Sequence, residues 1–257
     1  MKLPSFRLDG KKAIITGAGR GIGRALAIGF SLAGAEVILC SRTESELNQV
    51  KSDIEDLGGT ASVYQMDVTN TTELKATVER IFSDHHQVDI LINNAGMNIR
   101  SKANDVTEEE WIKIMDTNVK SAFMMSQAVG AKMQEQVNGG SILSVSSVAG
   151  HVALKTGVVY AASKAAMIQM TKVLAYEWGS HGVRVNSIGP WYFETPLTKH
   201  LLEDEEYLNE ILAVTPLKRV GQVEELVGPA LFLSSDAGSY VTGQTLFVDG
   251  GMTINGF

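Results

Sequence analysis

Seven short apolar runs recur along the chain, each set off from the next by a longer segment of helical pattern. They cover 13–16, 37–39, 63–66, 90–92, 141–145, 183–186 and 245–248. Runs this short, rich in Val, Ile and Leu, are strand-sized rather than helix-sized. Most are continuously apolar instead of alternating, which suits strands buried on both faces of a parallel sheet. Strict strand-helix alternation with right-handed crossovers places helices on both faces, giving a doubly wound α/β fold around a seven-stranded parallel sheet. No internal repeat, low-complexity tract or long linker interrupts the pattern, so residues 1–257 are expected to form a single domain. The irregular stretch is 190–216, with Pro190, Pro196, Pro216 and the acidic cluster Glu203, Asp204, Glu205 and Glu206. It is expected to be a helical flap acting as a lid over a site.

The first run leads directly into Thr16-Gly17-Ala18-Gly19-Arg20-Gly21-Ile22-Gly23 and then into an apolar helical stretch from Ala25. Glycines at such a turn let the backbone approach a pyrophosphate, and the helix start supplies unpaired N–H groups and a positive dipole end. The spacing is T-G-x-x-x-G-x-G rather than G-x-G-x-x-G. A dinucleotide carrying a free ribose usually meets an acidic residue at the tip of the second strand. Here that tip reads Cys40-Ser41-Arg42. A guanidinium fork at Arg42, with Arg20 facing it from the loop, suits a 2′-phosphate, so NADP(H) is expected in preference to NAD(H).

Tyr160 and Lys164 stand four apart in a helical run and so share one face. A phenol is a poor acid-base group at neutrality. An ammonium about 4 Å away, at an effective dielectric of about 20, is worth about 4 kcal/mol and is expected to lower it. Ser147 lies just past the fifth run, at the carboxyl edge where open α/β sheets bind ligands, with Ser144 and Ser146 offering the same hydroxyl nearby. Asn93-Asn94-Ala95-Gly96 ends the fourth run, and Asn118 interrupts an otherwise apolar helix.

Net charge is −7, which disfavours a phosphate-backbone partner, because such binding depends on Lys and Arg. No nucleic acid is expected. The five histidines show no metal-ligand spacing, and Cys40, the only cysteine, is read as packing, so no metal site is proposed. One cysteine suits a reducing cytoplasm. The longest stretch free of charged residues, 136–154, is too rich in Gly, Ser and His to lie in a membrane.

Together these residues resemble the short-chain dehydrogenase/reductase family from Lys11 to Met252. The resemblance implies a Rossmann-type fold, a homotetramer and hydride exchange between a nicotinamide cofactor and an alcohol or carbonyl. It assigns the nucleotide loop to Thr16 through Gly23, the adenine-side acid to Asp67 followed by Val68, and the N-N-A-G motif to Asn93 through Gly96, so Asn94, Ala95 and Gly96 face the cofactor. It puts the catalytic tetrad on Asn118, Ser147, Tyr160 and Lys164, the 13-residue offset from Ser147 to Tyr160 singling out that serine. In the family the asparagine distorts its helix and holds a water on a proton path to the lysine. The nicotinamide loop falls on Pro190, Trp191, Phe193 and Thr195, where Trp191 replaces the usual glycine. Within the family the chain is similar to gluconate 5-dehydrogenases, through Arg100, Tyr192, Thr198-Lys199, Glu203-Asp204-Glu205 and Thr215-Pro216. The implied substrate is a small polyol or sugar acid, met by Arg100, His151, Trp191 and Tyr192. The rival readings are a 3-oxoacyl carrier-protein reductase or general ketone reductase, and a catalytically silent nucleotide sensor. Asn138 and His181 stand where carrier-protein reductases carry docking arginines.

Overall fold

A computed structural model describes residues 3–254. Its strands are β1 (Lys12–Thr16), β2 (Glu36–Ser41), β3 (Thr60–Gln65), β4 (Ile90–Asn93), β5 (Gly140–Val145), β6 (Val183–Pro190) and β7 (Thr245–Val248). Between them run α1 (Gly21–Leu32), α2 (Glu44–Asp56), α3 (Thr71–His85), α4 (Glu108–Met115), α5 (Ser121–Glu135) and α6 (Val158–Trp178). After β6 come α7 (Lys199–Leu202), α8 (Glu205–Val214) and α9 (Val227–Ser234).

All strands are parallel, in the order β3-β2-β1-β4-β5-β6-β7. Alternation along β1 divides the core. Ala13 and Ile15 join Leu26 and Phe30 of α1, Val50 of α2 and Ala230 of α9 on one face. Ile14 joins Leu74 and Ile81 of α3, Val129 of α5 and Leu174 of α6 on the other. Cys40 lies in this second layer, its thiol pushed up to about 12 by burial, so it packs rather than reacts. The chain winds outward to β2 and β3, then returns to place β4 on the far side of β1. That reversal opens a crevice at the carboxyl ends of β1 and β4.

Two edges differ from the apolar pattern. β3 begins three residues earlier than its apolar run, because small or polar Thr60, Ala61 and Ser62 pair with β2. β6 continues to Pro190, where Ser187 through Pro190 pair with β7. About half of residues 190–216 fold into α7 and α8, with the Asp204 carboxylate capping α8 through the N–H groups of Glu206 and Tyr207. Among the described residues, no helix is long and apolar enough to cross a membrane.

Candidate active site

The Gly loop is fastened to the end of β4. The Thr16 hydroxyl donates to Ile92 O and accepts from the N–H groups of Asn94 and Ala95, at 3.0 and 3.1 Å. The Asn94 amide donates to Thr16 O and Gly17 O. Gly17 and Gly21 hold φ of +64° and +54°, a region that favours glycine. A Cβ on Gly23 would overlap the Gly17 carbonyl and the Asn94 amide, so this helix start can close onto the loop only as glycine. Ile22 anchors the turn in the first core layer. Gly19 lies against Glu46, and Arg20 points to that carboxylate at 3.7 Å. Beyond β2, the Ser41 hydroxyl closes a turn onto Thr43, while the exposed Arg42 side chain has no polar partner among the described residues. Asp67 receives the Thr69 N–H and hydroxyl on one carboxylate oxygen, and Val68 is buried beside it.

At the carboxyl edge, Asn118, Ser147, Tyr160 and Lys164 gather from three segments. Asn118 centres a π-helical turn, Asp116–Lys120, between α4 and α5, closed by Ser121 N–H donating to Asp116 O. Such turns mark interrupted helices at functional sites. Its side chain accepts from Met97 N–H and donates to Met97 O and Ser163 Oγ. Ser147 accepts from Ala149 N–H and donates to Pro190 O at 3.5 Å, linking the β5 and β6 ends. Ser146 instead donates to Lys164 O and Ser144 is sealed within the sheet, which leaves Ser147 as the serine beside Tyr160. Lys164 Nζ donates to Val145 O at 2.8 Å and lies 5.6 Å from the Tyr160 ring centre.

The charge balance differs from the expectation drawn from helical spacing. Burial holds Tyr160 above its ordinary value, opposed by the Ser147 hydroxyl and by the charge of Arg100. Burial likewise brings Lys164 down to about 8. The ammonium turns to the Val145 carbonyl, and desolvation is the largest influence on both groups.

Arg100, Tyr192 and Tyr207 form the rim. Arg100 Nη1 donates to the phenol oxygens of Tyr192 and Tyr207 at 3.1 and 3.2 Å, and the two phenols are hydrogen-bonded to each other. Trp191 packs edge-on to Tyr192 at 4.6 Å and its indole N–H donates to Thr215 Oγ1. Thr195 hydrogen-bonds Thr198 and lies over Gly21, while Phe193 pairs with Gly221. His151 is exposed and packs on Phe247 with ring centres 5.0 Å apart, and it makes no hydrogen bond or ring contact with Arg100, Tyr192 or Trp191.

A family model described as "Enoyl-(Acyl carrier protein) reductase" matches residues 17–253. Gluconate 5-dehydrogenase of Gluconobacter oxydans is 42% identical over 250 residues, 97% of each chain. The 3-oxoacyl-[acyl-carrier-protein] reductase of Thermotoga maritima is 39% identical, over 97% of this chain and 100% of that one. The crystal structure of a gluconate 5-dehydrogenase from Burkholderia cenocepacia, in complex with NADP and tartrate, superposes with a TM-score of 0.94 at 37% identity, covering 97% of each chain. The chain belongs to the short-chain dehydrogenase/reductase family. It is accordingly an oxidoreductase acting on CH–OH groups.

Trp191, the departure from the family's usual glycine, does not displace the loop from the sheet: its N–H still reaches Val248 O at 3.3 Å, and its ring joins the aromatic rim. Tyr207 is not legible in the sequence. It is 107 positions from Arg100, on an amphipathic helix where a tyrosine carries no local signal. Glu46, which takes up Arg20, is likewise not legible, because nothing in the loop spacing points to the first turn of α2.

Proposed function

We propose that this enzyme is an NADP(H)-dependent dehydrogenase of a small sugar acid or polyol, gluconate 5-dehydrogenase-like in its substrate. The observation that carries the substrate is Arg100: two tyrosines occupy one terminal nitrogen, while its Nε and Nη2 take no partner among the described residues. That free edge matches the fork geometry of a carboxylate, and its charge is close enough to act on Tyr160. The relatives named gluconate 5-dehydrogenase and the NADP-bound neighbour support the same reading. A carrier-protein substrate would need a basic docking face, and Asn138 and His181 supply no arginines there.

The loop from Thr16 to Gly23, with Gly19 and Gly21 bare of side chains, fits a pyrophosphate, and the unpartnered Arg42 fits a 2′-phosphate. Asp67, Val68, Asn94, Ala95, Gly96, Pro190, Trp191, Phe193 and Thr195 complete the cofactor wall in this reading. NADP(H), when bound, accepts or supplies the hydride. The chain's own residues handle the proton. Tyr160 gives it to, or takes it from, the substrate oxygen, and Ser147 donates a hydrogen bond to that oxygen. Lys164, buried behind the tyrosine, favours its anion whenever the ammonium is protonated. Asn118 keeps the interrupted helix open beside Lys164 for proton resupply through water. Residues 190–216 act as a lid over this site, and His151 lines its outer mouth. The apolar side chains exposed on α4, α5 and α6, among them Trp111, Phe123 and Tyr176, suit a homotetramer. The single cysteine suits the cytoplasm.

The experiment is an NADP-linked screen of gluconate and related polyols beside an NADPH-linked screen of ketones and acetoacetyl thioesters. Gluconate oxidation that disappears in Tyr160→Phe, with NADP affinity retained, is the expected outcome. Preference for thioesters would transfer the enzyme to the acyl-reductase reading.

A further inference from the structure

The lid helix α8 carries Tyr207, and its phenol meets a guanidinium that belongs to the loop after β4. The donor count at this meeting point is unusual. Both phenol oxygens accept from Arg100 Nη1, and one of the two phenols donates to the other. Two hydroxyl hydrogens are present and one is consumed in the phenol pair, so one remains. With Nε–H and Nη2–H of Arg100 it makes a group of donors with no acceptor among the described residues. The group is more than half covered: Tyr192 is 8% exposed, and Arg100 and Tyr207 are partly buried. Donors gathered around a half-buried cation call for an anion.

The same helix is tied to the far side of the site. Lys155, on the loop before α6, pairs with Glu210 of α8 at 2.6 Å. Of these two ties, the one at Lys155 is solvent-exposed and weak, as surface pairs are. The tie at Tyr207 is sheltered, and it is the one that a substrate carboxylate would touch.

We infer that Tyr207 is a specificity-determining positioning residue, which fixes Arg100 for an acid substrate and makes seating of α8 part of carboxylate recognition. This rests on the sugar-acid reading above. Without the Tyr207 hydroxyl, Arg100 keeps Tyr192 as its only anchor, and its planar fork is free to turn away from the carboxylate. The reacting oxygen is held by Ser147 and Tyr160 instead, so loss of the hydroxyl acts on binding of the acid end and not on the chemical step.

The test uses the whole enzyme with saturating NADP, and compares wild type, Tyr207→Phe and Arg100→Ala on gluconate. Tyr207→Phe removes one oxygen from a partly covered ring and leaves the fold intact. The expected result is a KM for gluconate raised about tenfold, the range for losing a hydrogen bond to a charged group. Turnover at saturation should stay within about twofold. NADP affinity, read by fluorescence titration, should not move. Hydrogen exchange of the 205–214 amides should be faster in Tyr207→Phe, and gluconate should slow it less than in wild type. An unchanged KM in Tyr207→Phe with a raised KM in Arg100→Ala overturns the role of Tyr207 and spares the carboxylate reading. An unchanged KM in Arg100→Ala, or no gluconate oxidation by wild type, overturns the carboxylate reading and this inference with it. A parallel fall in turnover marks Tyr207 as part of the reacting centre and also refutes the inference.

Discussion

Asn118 and Met97 are joined at both ends of one amide: the asparagine oxygen accepts the Met97 N–H at 2.8 Å and its nitrogen donates to the Met97 carbonyl at 2.9 Å. The asparagine is fully buried, and through Met97 it fixes the loop that follows Gly96 against the π-turn. This explains a polar residue in an apolar helix without any ligand present. The backbone after β4 cannot pair with the sheet and needs a partner of this shape.

Asn118→Ala removes the partner of both the N–H and the C=O of the partly buried Met97, which costs up to about 1–3 kcal/mol for each group left unsatisfied. The melting temperature should fall by several degrees, about 2–4 °C for each kcal/mol in a domain of this size. Turnover should fall further than the unfolded fraction accounts for, because the same loop borders Lys164. A melting curve and an initial-rate series on the same preparation decide this. An unshifted melting curve would mean that the Met97 pairing contributes nothing.

Lys164 offers a test in which activity and stability move in opposite directions. The residue is 5% exposed, and burial brings its ammonium from 10.5 to about 8. Between those two values the unfolded chain binds a proton that the folded chain does not, so stability attributable to this group rises with pH across the window. Below about pH 8 the burial of the charge is opposed to folding by about 3 kcal/mol. Lys164→Met removes the charge at similar length and loses the bond to Val145 O. The variant should be inactive, yet melt higher than wild type at pH 7. That advantage should shrink between pH 8 and 10.5. Denaturation at pH 7 and pH 10 measures it, and an advantage independent of pH would contradict the burial of a titrating amine.

Much of this architecture is legible in the chain because the strands are continuous apolar runs. Ile14, Ile38, Leu91 and Ile142 are fully buried and each lies in one of those runs. The start of β3 is not legible, since Thr60 and Ser62 pair with β2 through backbone alone. Tyr160 and Lys164 are visible as a helical spacing, Ser147 and Asn118 only through the family resemblance, and the four residues do meet. The direction of the Tyr160 shift is not visible, because spacing reports proximity and says nothing of burial. The π-turn at Asp116–Lys120 escapes a period-based reading for a related reason. One extra residue within a turn changes the phase, and a single polar position does not reveal it. Tyr207 is the extreme case, a long-range partner whose identity depends on how α8 lies over Arg100.

Gly23→Ala tests the loop. The added Cβ would overlap the Gly17 carbonyl and the Asn94 amide, which are backbone and a tightly bonded side chain with no room to yield. Overpacking of this kind costs about 1–3 kcal/mol. It also pushes the start of α1 away from the place where a pyrophosphate would sit. Nucleotide affinity should drop more than tenfold by fluorescence titration. Retained affinity would mean that the loop does not need its present closeness to α1.

The last test concerns which nicotinamide nucleotide is preferred, and it turns on Arg42. The residue follows β2, is exposed, and has no side-chain partner among the described residues, so its full charge and its fork of donors remain available. Arg20, the second basic group on this side of the loop, is partly committed to Glu46 at 3.7 Å. The discrimination therefore rests mainly on Arg42. A 2′-phosphate gains a charge-assisted bond from it, whereas a plain ribose hydroxyl gains little. Arg42→Asp replaces that donor with a carboxylate, which repels the phosphate and accepts hydrogen bonds from the ribose diol. The ratio of kcat/KM for NADP to that for NAD should fall by two or more orders of magnitude, on the order of 3 kcal/mol. Most of the change should lie in KM, because the group is remote from the reacting carbon. Raising salt should narrow the wild-type preference, since an exposed guanidinium is screened. If Arg42→Asp leaves the ratio unchanged, Arg20 must leave Glu46 to carry the selectivity, and Arg20→Ala in the same assay would then abolish it.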